Sequence, residues 1–295
     1  MTAIDTSLAA RASSFDRRRL TNSVATVLIG LCIVLALIPL GLVLTYTISK
    51  GSRAIGVGFL SHSMRNVTPL SGAGGAYHSI IGTVEQVLIA SVISVPLGLM
   101  VAIYLVEYGR GRLAATVRFF VDVMTGVPSI VAGLFIYAFW VIGLHKGFSG
   151  LAAGLALSVL MLPVVIRSSE EMLKLVPDEL REASLALAVP RWKTILRVVL
   201  PTASAGLTTG VMLAVGRVTG ETAPLLLTAF GFDSIHTDPL RGPQSGLPLF
   251  VFAQARSSFQ VAIDRAWAGA LTLIAIVLVL TVIARVLAGR NRLAA

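Results

Sequence analysis

The sequence predicts an all-α integral membrane protein with six transmembrane helices, as its composition and the spacing of its charged residues indicate. Of the 295 residues, 56% are apolar and only 13% are charged, about half the charged share of a soluble domain. The mean hydropathy is +0.87. A soluble fold could not bury so much apolar surface, and disorder requires low hydrophobicity. Soluble enzymes and disordered chains are therefore excluded.

The gaps between charged residues locate the predicted spans. The longest gap, between Arg19 and Lys50, has 30 residues, and five further gaps have 19 to 23 residues. A membrane helix needs about 20 apolar residues, because each adds ~1.5 Å and the hydrocarbon core is ~30 Å thick. The first stretch is too long for a signal-peptide core and no cleavage site follows it, so we expect it to be retained. The predicted spans cover residues 23–48, 79–106, 119–143, 147–167, 202–229 and 266–288.

The distribution of lysine and arginine predicts the orientation. With the N-terminus inside, 16 of these residues are assigned to the cytoplasmic side and 7 to the outer side, and Arg217 is the one left inside the membrane. Positive charge is normally in excess on the cytoplasmic side. Residues 1–22 and 289–295 are therefore predicted to be cytoplasmic tails of a multi-pass protein of a cell membrane. The net charge of +10 then reflects topology and does not indicate nucleic-acid binding.

The loop at 168–201, predicted to be cytoplasmic, has two helix signals. Pro177 with Asp178 and Glu179 after it is a favourable helix start, with carboxylates in the first turn. Pro190 cannot lie in the middle of that helix, but it can begin a second one. The loop therefore predicts two short amphipathic helices joined by a bend. The residues alone leave two roles open: filling a groove on another protein, or lying on lipid.

The same loop resembles the coupling motif of ABC importer permeases, E-A-A-x3-G-x9-I-x-L-P. Ala188 stands in place of the glycine, Val198 in place of the isoleucine, and Ser184 in place of the second alanine. An alanine at the bend should stiffen it, or move it to Val189 and Pro190. The resemblance assigns ATPase coupling to six residues, which are Glu182, Ala183, Ser184, Ala188, Leu200 and Pro201.

Three further stretches are similar to the phosphate importer permeases within that family. They cover residues 75–83, 126–135 and 216–225. The last is the most specific, because an arginine and a glutamate inside a membrane span are rare. The resemblance covers nearly the whole chain. It implies the type I ABC importer permease fold, with a permease core of five helices over residues 79–288 that carries the cytoplasmic loop 168–201.

The resemblance also implies partners. The chain would form the translocation path together with a homologous permease, be driven by an ATPase dimer that binds ATP and Mg²⁺, and receive phosphate from an extracytoplasmic binding protein. The signature G-x4-G-K-[ST], which holds nucleotide phosphates, is missing, because none of the four lysines follows a glycine. We therefore expect a transport subunit with no cofactor of its own and no enzymatic activity, surrounded by membrane lipid.

Arg217 and Glu221 are candidates for the translocation path. They are four residues apart, which would place them on one face of the span 202–229. Arg217 lies 16 residues after Pro201, about 24 Å along a helix and so beyond the midplane towards the outside. Charges within a membrane face protein or water. Two interpretations stay open: the two residues neutralise each other and pin the helices, or they line the path of an anion together with Thr222.

The other acidic residues are expected at surfaces. Glu85 is predicted at the membrane interface, Asp122 in a local ion pair with Arg118, and Glu170 and Asp178 in solvent. The single cysteine and the widely separated histidines predict no metal site, and neither G-x-S-x-G nor H-E-x-x-H is present, so no catalytic centre is expected. The alternatives are a permease for another oxyanion such as sulfate or molybdate, a polytopic membrane enzyme, or a membrane sensor.

Overall fold

The structure, a computed structural model, describes the backbone of residues 3–290 and the side chains of residues 19–286. Most of the predicted C-terminal tail, 289–295, lies outside the described residues. Within them the regular secondary structure is helical, apart from one isolated bridge between Phe230 and Gln244. The helices are α1 (Ala3–Ala54), α2 (Val57–Ser61), α3 (Tyr77–Ile103), α4 (Gly111–Thr125), α5 (Ser129–Ile136), α6 (Gly150–Lys174), α7 (Asp178–Ala186), α8 (Arg191–Thr194), α9 (Leu200–Thr219), α10 (Ala223–Thr228), α11 (Leu247–Ala255) and α12 (Gln260–Arg290). Turns of π-helix extend α3 over Tyr104–Tyr108, extend α5 over Tyr137–Gly143, and join α8 to α9 over Ile195–Val199.

The described chain contains five helical stretches long and apolar enough to cross a membrane, and a sixth if one bent pair of helices counts as a span. This confirms the predicted all-α membrane fold. The sixth candidate consists of α4 and the extended α5, which are bent by 103° relative to each other. The five single stretches are Arg19–Ala54, Tyr77–Tyr108, Gly150–Lys174, Arg191–Thr219 and Gln260–Val286.

The predicted span 119–143 is broken in the structure. The helix α4 ends at Thr125, and α5 begins at Ser129. Pro128 lies in the gap, with extended backbone at φ −59° and ψ 138°. Proline has no N–H to donate and disfavours helical backbone at the residue before it, so the helix stops there instead of kinking.

The predicted span 202–229 is also interrupted. The helix α9 ends at Thr219, three residues form the connection, and α10 begins at Ala223. The short α10 packs closely on α5, because a Cβ at Gly133 would lie only 2.6 Å from the Cα of Pro224. Non-helical backbone at membrane depth requires protein or water around it. The break therefore marks a place where the chain is covered by protein or faces a water-filled space.

Residues up to Lys50 and residues from Gly51 onwards form two compact units. In the first unit, the apolar side chains of α1 from Val24 to Leu44 are exposed. In the second, α6 lies at the centre and packs on α3 and α9. Small residues allow the close approach, since a Cβ at Gly154 would lie 2.5 Å from Ile89 Cγ2.

Candidate coupling loop and translocation groove

The loop after α6 contains the two short helices and the bend that the sequence predicts. The helix α7 starts directly after Pro177, and α8 starts directly after Pro190. The two arms are tied together, because Ser184 Oγ lies 2.8 Å from Thr194 Oγ1 and both residues are buried. Ser184, a residue of the coupling motif, therefore has a structural role in joining α7 to α8.

The bend is located at Ala188, the position where the motif has glycine. Ala188 has φ +57°, in the left-handed region that favours glycine. Its N–H donates to Leu185 O at 2.9 Å, and the N–H of Val189 donates to Ser184 O at 3.2 Å. The expectation that alanine would move the bend to Val189 and Pro190 is therefore wrong, and the chain accepts strained backbone at Ala188.

The loop presents an apolar surface with a carboxylate on it, which we call the coupling face (Glu182, Leu185, Leu187, Trp192 and Leu196). Leu187 is 80% exposed and Trp192 is 59% exposed. Exposed apolar residues suit either of the two roles left open for this loop, contact with another protein or with lipid. The remaining motif residues differ in exposure. Ala183, Ala188 and Pro201 are exposed, whereas Leu200 is half-buried.

Arg181 anchors α7, a role that the sequence analysis missed. Its guanidinium lies 3.0 Å from a carboxylate oxygen of Glu107, in the π-helical turn that extends α3. It also donates to Leu173 O at 2.9 Å, within the last turn of α6, and to Val176 O at 2.6 Å, just beyond that helix. Both charged side chains are largely buried, with 16% of Arg181 and 6% of Glu107 exposed. No local spacing could reveal this pair, because its members are 74 residues apart.

Glu170 is fully buried, which corrects the expectation that it is solvated. Three cations surround it, with Arg118 Nε at 2.9 Å, Arg167 Nη1 at 3.2 Å and Lys174 Nζ at 3.1 Å. Asp122 pairs with Arg167, so the predicted pair with Arg118 is wrong. This network extends α6 to Lys174, beyond the predicted end at 167. The spacing of Arg167, Glu170 and Lys174 on one helix face could have predicted it.

Arg217 lines a groove of about 610 Å³ between α9 and α12. The groove also contains Thr208, Thr209 and Arg285, and both arginines are exposed. Beside Arg217, a Cβ at Gly216 would lie 3.4 Å from Val277, near the middle of the 31-residue α12. Arg217 therefore lies opposite the middle part of α12, two residues before the end of the helical stretch Arg191–Thr219.

Glu221 does not share a helical face with Arg217. It follows the end of α9, and its N–H donates to Val218 O at 3.2 Å. Within the described residues no ion pair joins it to Arg217, so the structure does not contain the expected neutralising pair. Thr222 lies at the start of α10, where its carbonyl accepts from the N–H of Leu226 at 3.2 Å. Glu221 and Thr222 are both half-buried in the break between α9 and α10.

A buried polar contact fixes the segment before α11 against α3. Gln86 Nε2 donates to Gln244 Oε1 at 3.0 Å, and Gln244 Nε2 donates to Glu85. Gly82 allows the close approach, because a Cβ there would overlap the carbonyl oxygen of Ser245. Glu85, predicted at the interface, is thus half-buried and hydrogen-bonded within the protein.

The family model described as "Binding-protein-dependent transport system inner membrane component" matches residues 94–293, which include the coupling loop and the groove. The chain belongs to this family. The permease is 49% identical over 262 residues to "Phosphate transport system permease protein PstA 1" of Mycobacterium tuberculosis (strain CDC 1551 / Oshkosh), covering 88% of this chain and 86% of that protein. It is 40% identical over 276 residues to "Phosphate transport system permease protein PstA" of Yersinia pestis, covering 93% of this chain and 92% of that one.

The fold of the permease is also similar to that of a solved importer. A chain of the MetNI methionine ABC transporter in an inward-facing conformation matches with a TM-score of 0.54 and 19% identity. The match covers 75% of the permease and 94% of that chain. At this identity the likeness shows the fold alone, which agrees with the predicted type I importer permease architecture.

A continuous helical stretch connects the coupling loop of the permease to its groove. It runs from Arg191 to Thr219 through the π-helical turn, with Thr194 near one end and Arg217 near the other. These two residues are 23 positions apart, about 35 Å along a helix. The tie between Ser184 and Thr194 therefore lies on the same rigid element as the guanidinium of Arg217.

Proposed function

We propose that the permease forms, with a second homologous permease, the membrane path of an ATP-driven importer for inorganic phosphate. The similarity to phosphate transport system permeases over nearly the whole chain carries this proposal, with 49% identity across 88% of the residues for one of them. The groove of Arg217 supports an anionic substrate. Sulfate and molybdate remain the competing substrates, and only the transported anion separates them.

Arg217 supplies the chemistry that an oxyanion path needs. A guanidinium presents several N–H donors in one plane, which suits the oxygens of a tetrahedral anion. An arginine at the bilayer centre costs at least ~2.5–3.5 kcal/mol when it faces lipid, so the groove has to face the second permease or water. Glu221 has no ion-pair partner among the described residues, and its charge repels an anion in the break beside Arg217. Such opposition keeps the anion weakly held, as transport requires.

The energy source would be a separate ATPase dimer that binds ATP and Mg²⁺. The coupling face would fit a cleft of that ATPase, with Leu187 and Trp192 making apolar contacts and Glu182 a polar contact at the rim. This assignment agrees with the motif resemblance and with the exposure of these side chains. It requires the loop after α6 to be cytoplasmic, with both termini inside and the protein in the inner membrane of a bacterium.

On the opposite side, a phosphate-binding protein would deliver the anion. The segments available to it are the connection between α2 and α3 and the one between α10 and α11. The exposed apolar side chains of α1 suit lipid or the second permease.

Uptake by the purified complex tests the proposal. The permease is co-purified with its partner permease and ATPase and reconstituted in liposomes with ATP, and the binding protein is added outside. We expect concentrative uptake of labelled phosphate, and none of labelled sulfate or molybdate. Uptake of either of the other anions in place of phosphate would refute the substrate, and the absence of a co-purified ATPase would refute the importer.

Replacement of Arg217 tests the path. We expect Arg217→Gln to lower phosphate uptake by roughly 10- to 100-fold, the loss of one or two charge-assisted hydrogen bonds. Arg217→Lys should retain part of the activity, because it keeps the charge but not the planar array of donors. The matched control is Arg53→Gln, at an exposed arginine outside the groove. Assembly is checked by size-exclusion chromatography, and unchanged uptake by assembled Arg217→Gln would remove Arg217 from the path.

A further inference from the structure

A cavity of about 940 Å³ lies apart from the coupling loop and from the groove of Arg217. Its walls come from the loop after α2, the start of α3, the segment after α10, and α11. In the proposed orientation all of these are on the outer side, where the binding protein delivers its anion. The volume is within the range of about 300–1,000 Å³ that is usual for small-molecule sites. We call it the outer cavity.

The outer cavity carries positive charge. Arg65 and Arg256 both line it, both are exposed, and neither has an ion-pair partner among the described residues. The guanidinium of Arg256 lies 5.1 Å from the ring centroid of Phe252, which limits its movement. One carboxylate, Asp233, opposes the two arginines. Desolvation by the surrounding protein raises the pKa of Asp233.

A buried histidine adds a hydrogen-bonding group without a partner. His78 lines the outer cavity but is only 2% exposed. Its Nε2 lies 3.0 Å from Ser79 Oγ, and that hydroxyl lies 2.8 Å from Ser245 Oγ. Its ring packs edge-on against Phe250, with the centroids 5.9 Å apart. Its Nδ1 has no hydrogen-bond partner.

The imidazole is thus fixed on one side and has one unused nitrogen. Buried polar atoms in proteins are nearly always hydrogen-bonded, and an unpaired one has an energetic cost. An unpaired nitrogen on a residue that lines the cavity therefore favours a role in binding a polar ligand. With two guanidinium groups, an imidazole nitrogen and the hydroxyl of Ser245, the wall of the cavity is suited to a small anion with several oxygens.

We infer that the outer cavity is a receiving site for inorganic phosphate, a tetrahedral oxyanion. The anion occupies this site after it leaves the binding protein and before it reaches the groove of Arg217. Arg65 and Arg256 attract the anion and bind its oxygens, and His78 hydrogen-bonds to it through Nδ1. The inference rests on the proposed function. It adds a second binding step on the outer side, so loss of this site should waste ATP hydrolysis without preventing the binding protein from docking.

The test separates uptake from ATP hydrolysis. The double variant Arg65→Gln/Arg256→Gln is reconstituted as the full complex, and phosphate uptake and ATPase stimulation by phosphate-loaded binding protein are both measured. We expect the phosphate imported per ATP hydrolysed to fall roughly 10-fold or more, since two charge-assisted contacts are lost. The concentration of binding protein that gives half-maximal ATPase stimulation should stay unchanged. Arg65→Lys/Arg256→Lys should restore most of the ratio.

The control and a second variant make the result decisive. Arg53→Gln/Arg112→Gln removes the same charge from exposed positions outside the cavity, and it should leave the ratio unchanged. His78→Gln should lower the ratio as well. If it fails to assemble, the arginine pair still decides, because both of its members are exposed.

Two outcomes would overturn the inference. One is an unchanged phosphate-to-ATP ratio in the arginine double variant. The other is a parallel loss of uptake and ATPase stimulation, which would make the cavity wall a docking surface for the binding protein. Failure of the wild-type complex to import phosphate would instead refute the proposed function. The same ratio would then be measured with the anion that the complex does import, and an unchanged ratio would overturn the receiving site independently.

Discussion

The ion pair between Arg181 and Glu107 yields a quantitative prediction about how the coupling loop is held. Its two side chains are 16% and 6% exposed, so the pair lies mainly in protein. Removing one partner of a buried pair costs about 3–5 kcal/mol, because the other charge stays buried without compensation. Asp178, the other acidic partner of Arg181, is 86% exposed and adds little. Arg181→Gln should therefore destabilise the docked loop by about 3 kcal/mol, the lower end of that range.

A double-mutant cycle isolates the pair from the other bonds of Arg181. Glu107→Gln should cost about 2 kcal/mol, because Arg181 keeps its bonds to the carbonyls of Leu173 and Val176. The double variant Glu107→Gln/Arg181→Gln leaves no unpaired buried charge. It should be less destabilised than the sum of the single variants by about 2 kcal/mol.

Two assays read this cycle. Denaturation of the purified complex in detergent gives the stabilities, and reconstituted liposomes give the phosphate imported per ATP hydrolysed. Arg181→Gln should lower both, and the double variant should recover part of each. Additive effects, within about 0.5 kcal/mol, would show that the two charges do not interact and would refute the anchoring role of the pair.

Three further substitutions test features of the same fold. Ala188→Gly should stabilise the complex by about 0.5–1 kcal/mol, since the left-handed backbone costs alanine more than the added flexibility of glycine; a lower melting temperature would contradict this. Glu170→Gln should destabilise it by about 2 kcal/mol, less than for a fully buried pair because the three cations are partly exposed; the same denaturation assay measures it. Gly82→Ala should prevent assembly by overlapping Ser245, whereas Gly41→Ala, with nothing within 4 Å, should assemble normally.

The spans could be predicted because the hydrocarbon core imposes a minimum length of apolar sequence. The gaps between charged residues mark the end of a span wrongly where a charge is buried in protein instead of exposed at a membrane surface. The charge spacing places Glu170 in a solvated loop, yet it is enclosed by three cations and lies within α6. A rule that treats every charge as the end of a span cannot recognise such a network. The helical spacing of Arg167, Glu170 and Lys174 contained the missing information.

The break before α5 depended on long-range packing. Pro128 favours a kink or a break in the span, but it does not determine the size of the bend, since prolines also lie within the continuous helices α3 and α6. The close contact of Gly133 with Pro224 accompanies the bend of 103° and joins positions 91 residues apart. The contact of Arg181 with Glu107 also joins distant positions, which are 74 residues apart. Local spacing therefore predicted the coupling helices and their bend, but not the residues that attach them.

The attachments of α7 determine where a displacement of the coupling face can go. Ser184 ties α7 to α8, and through the continuous helix to Arg217, whereas Arg181 ties it to the end of α3 and to the carbonyls at the end of α6. These ties are independent, because they leave from different residues of α7. Loss of the Arg181 tie would let α7 move with α9 without moving α3. In the proposed complex, a displacement driven by the ATPase would then still reach the groove through α9, but it would no longer be transmitted to α3. Loss of the Ser184 hydroxyl would instead release α7, which carries Glu182, from the helical stretch Arg191–Thr219. In the proposed complex, Arg181→Gln should therefore leave ATP hydrolysis by the ATPase with little transport. Ser184→Ala should weaken the response of Arg217 itself, because only this second change interrupts the path along α9.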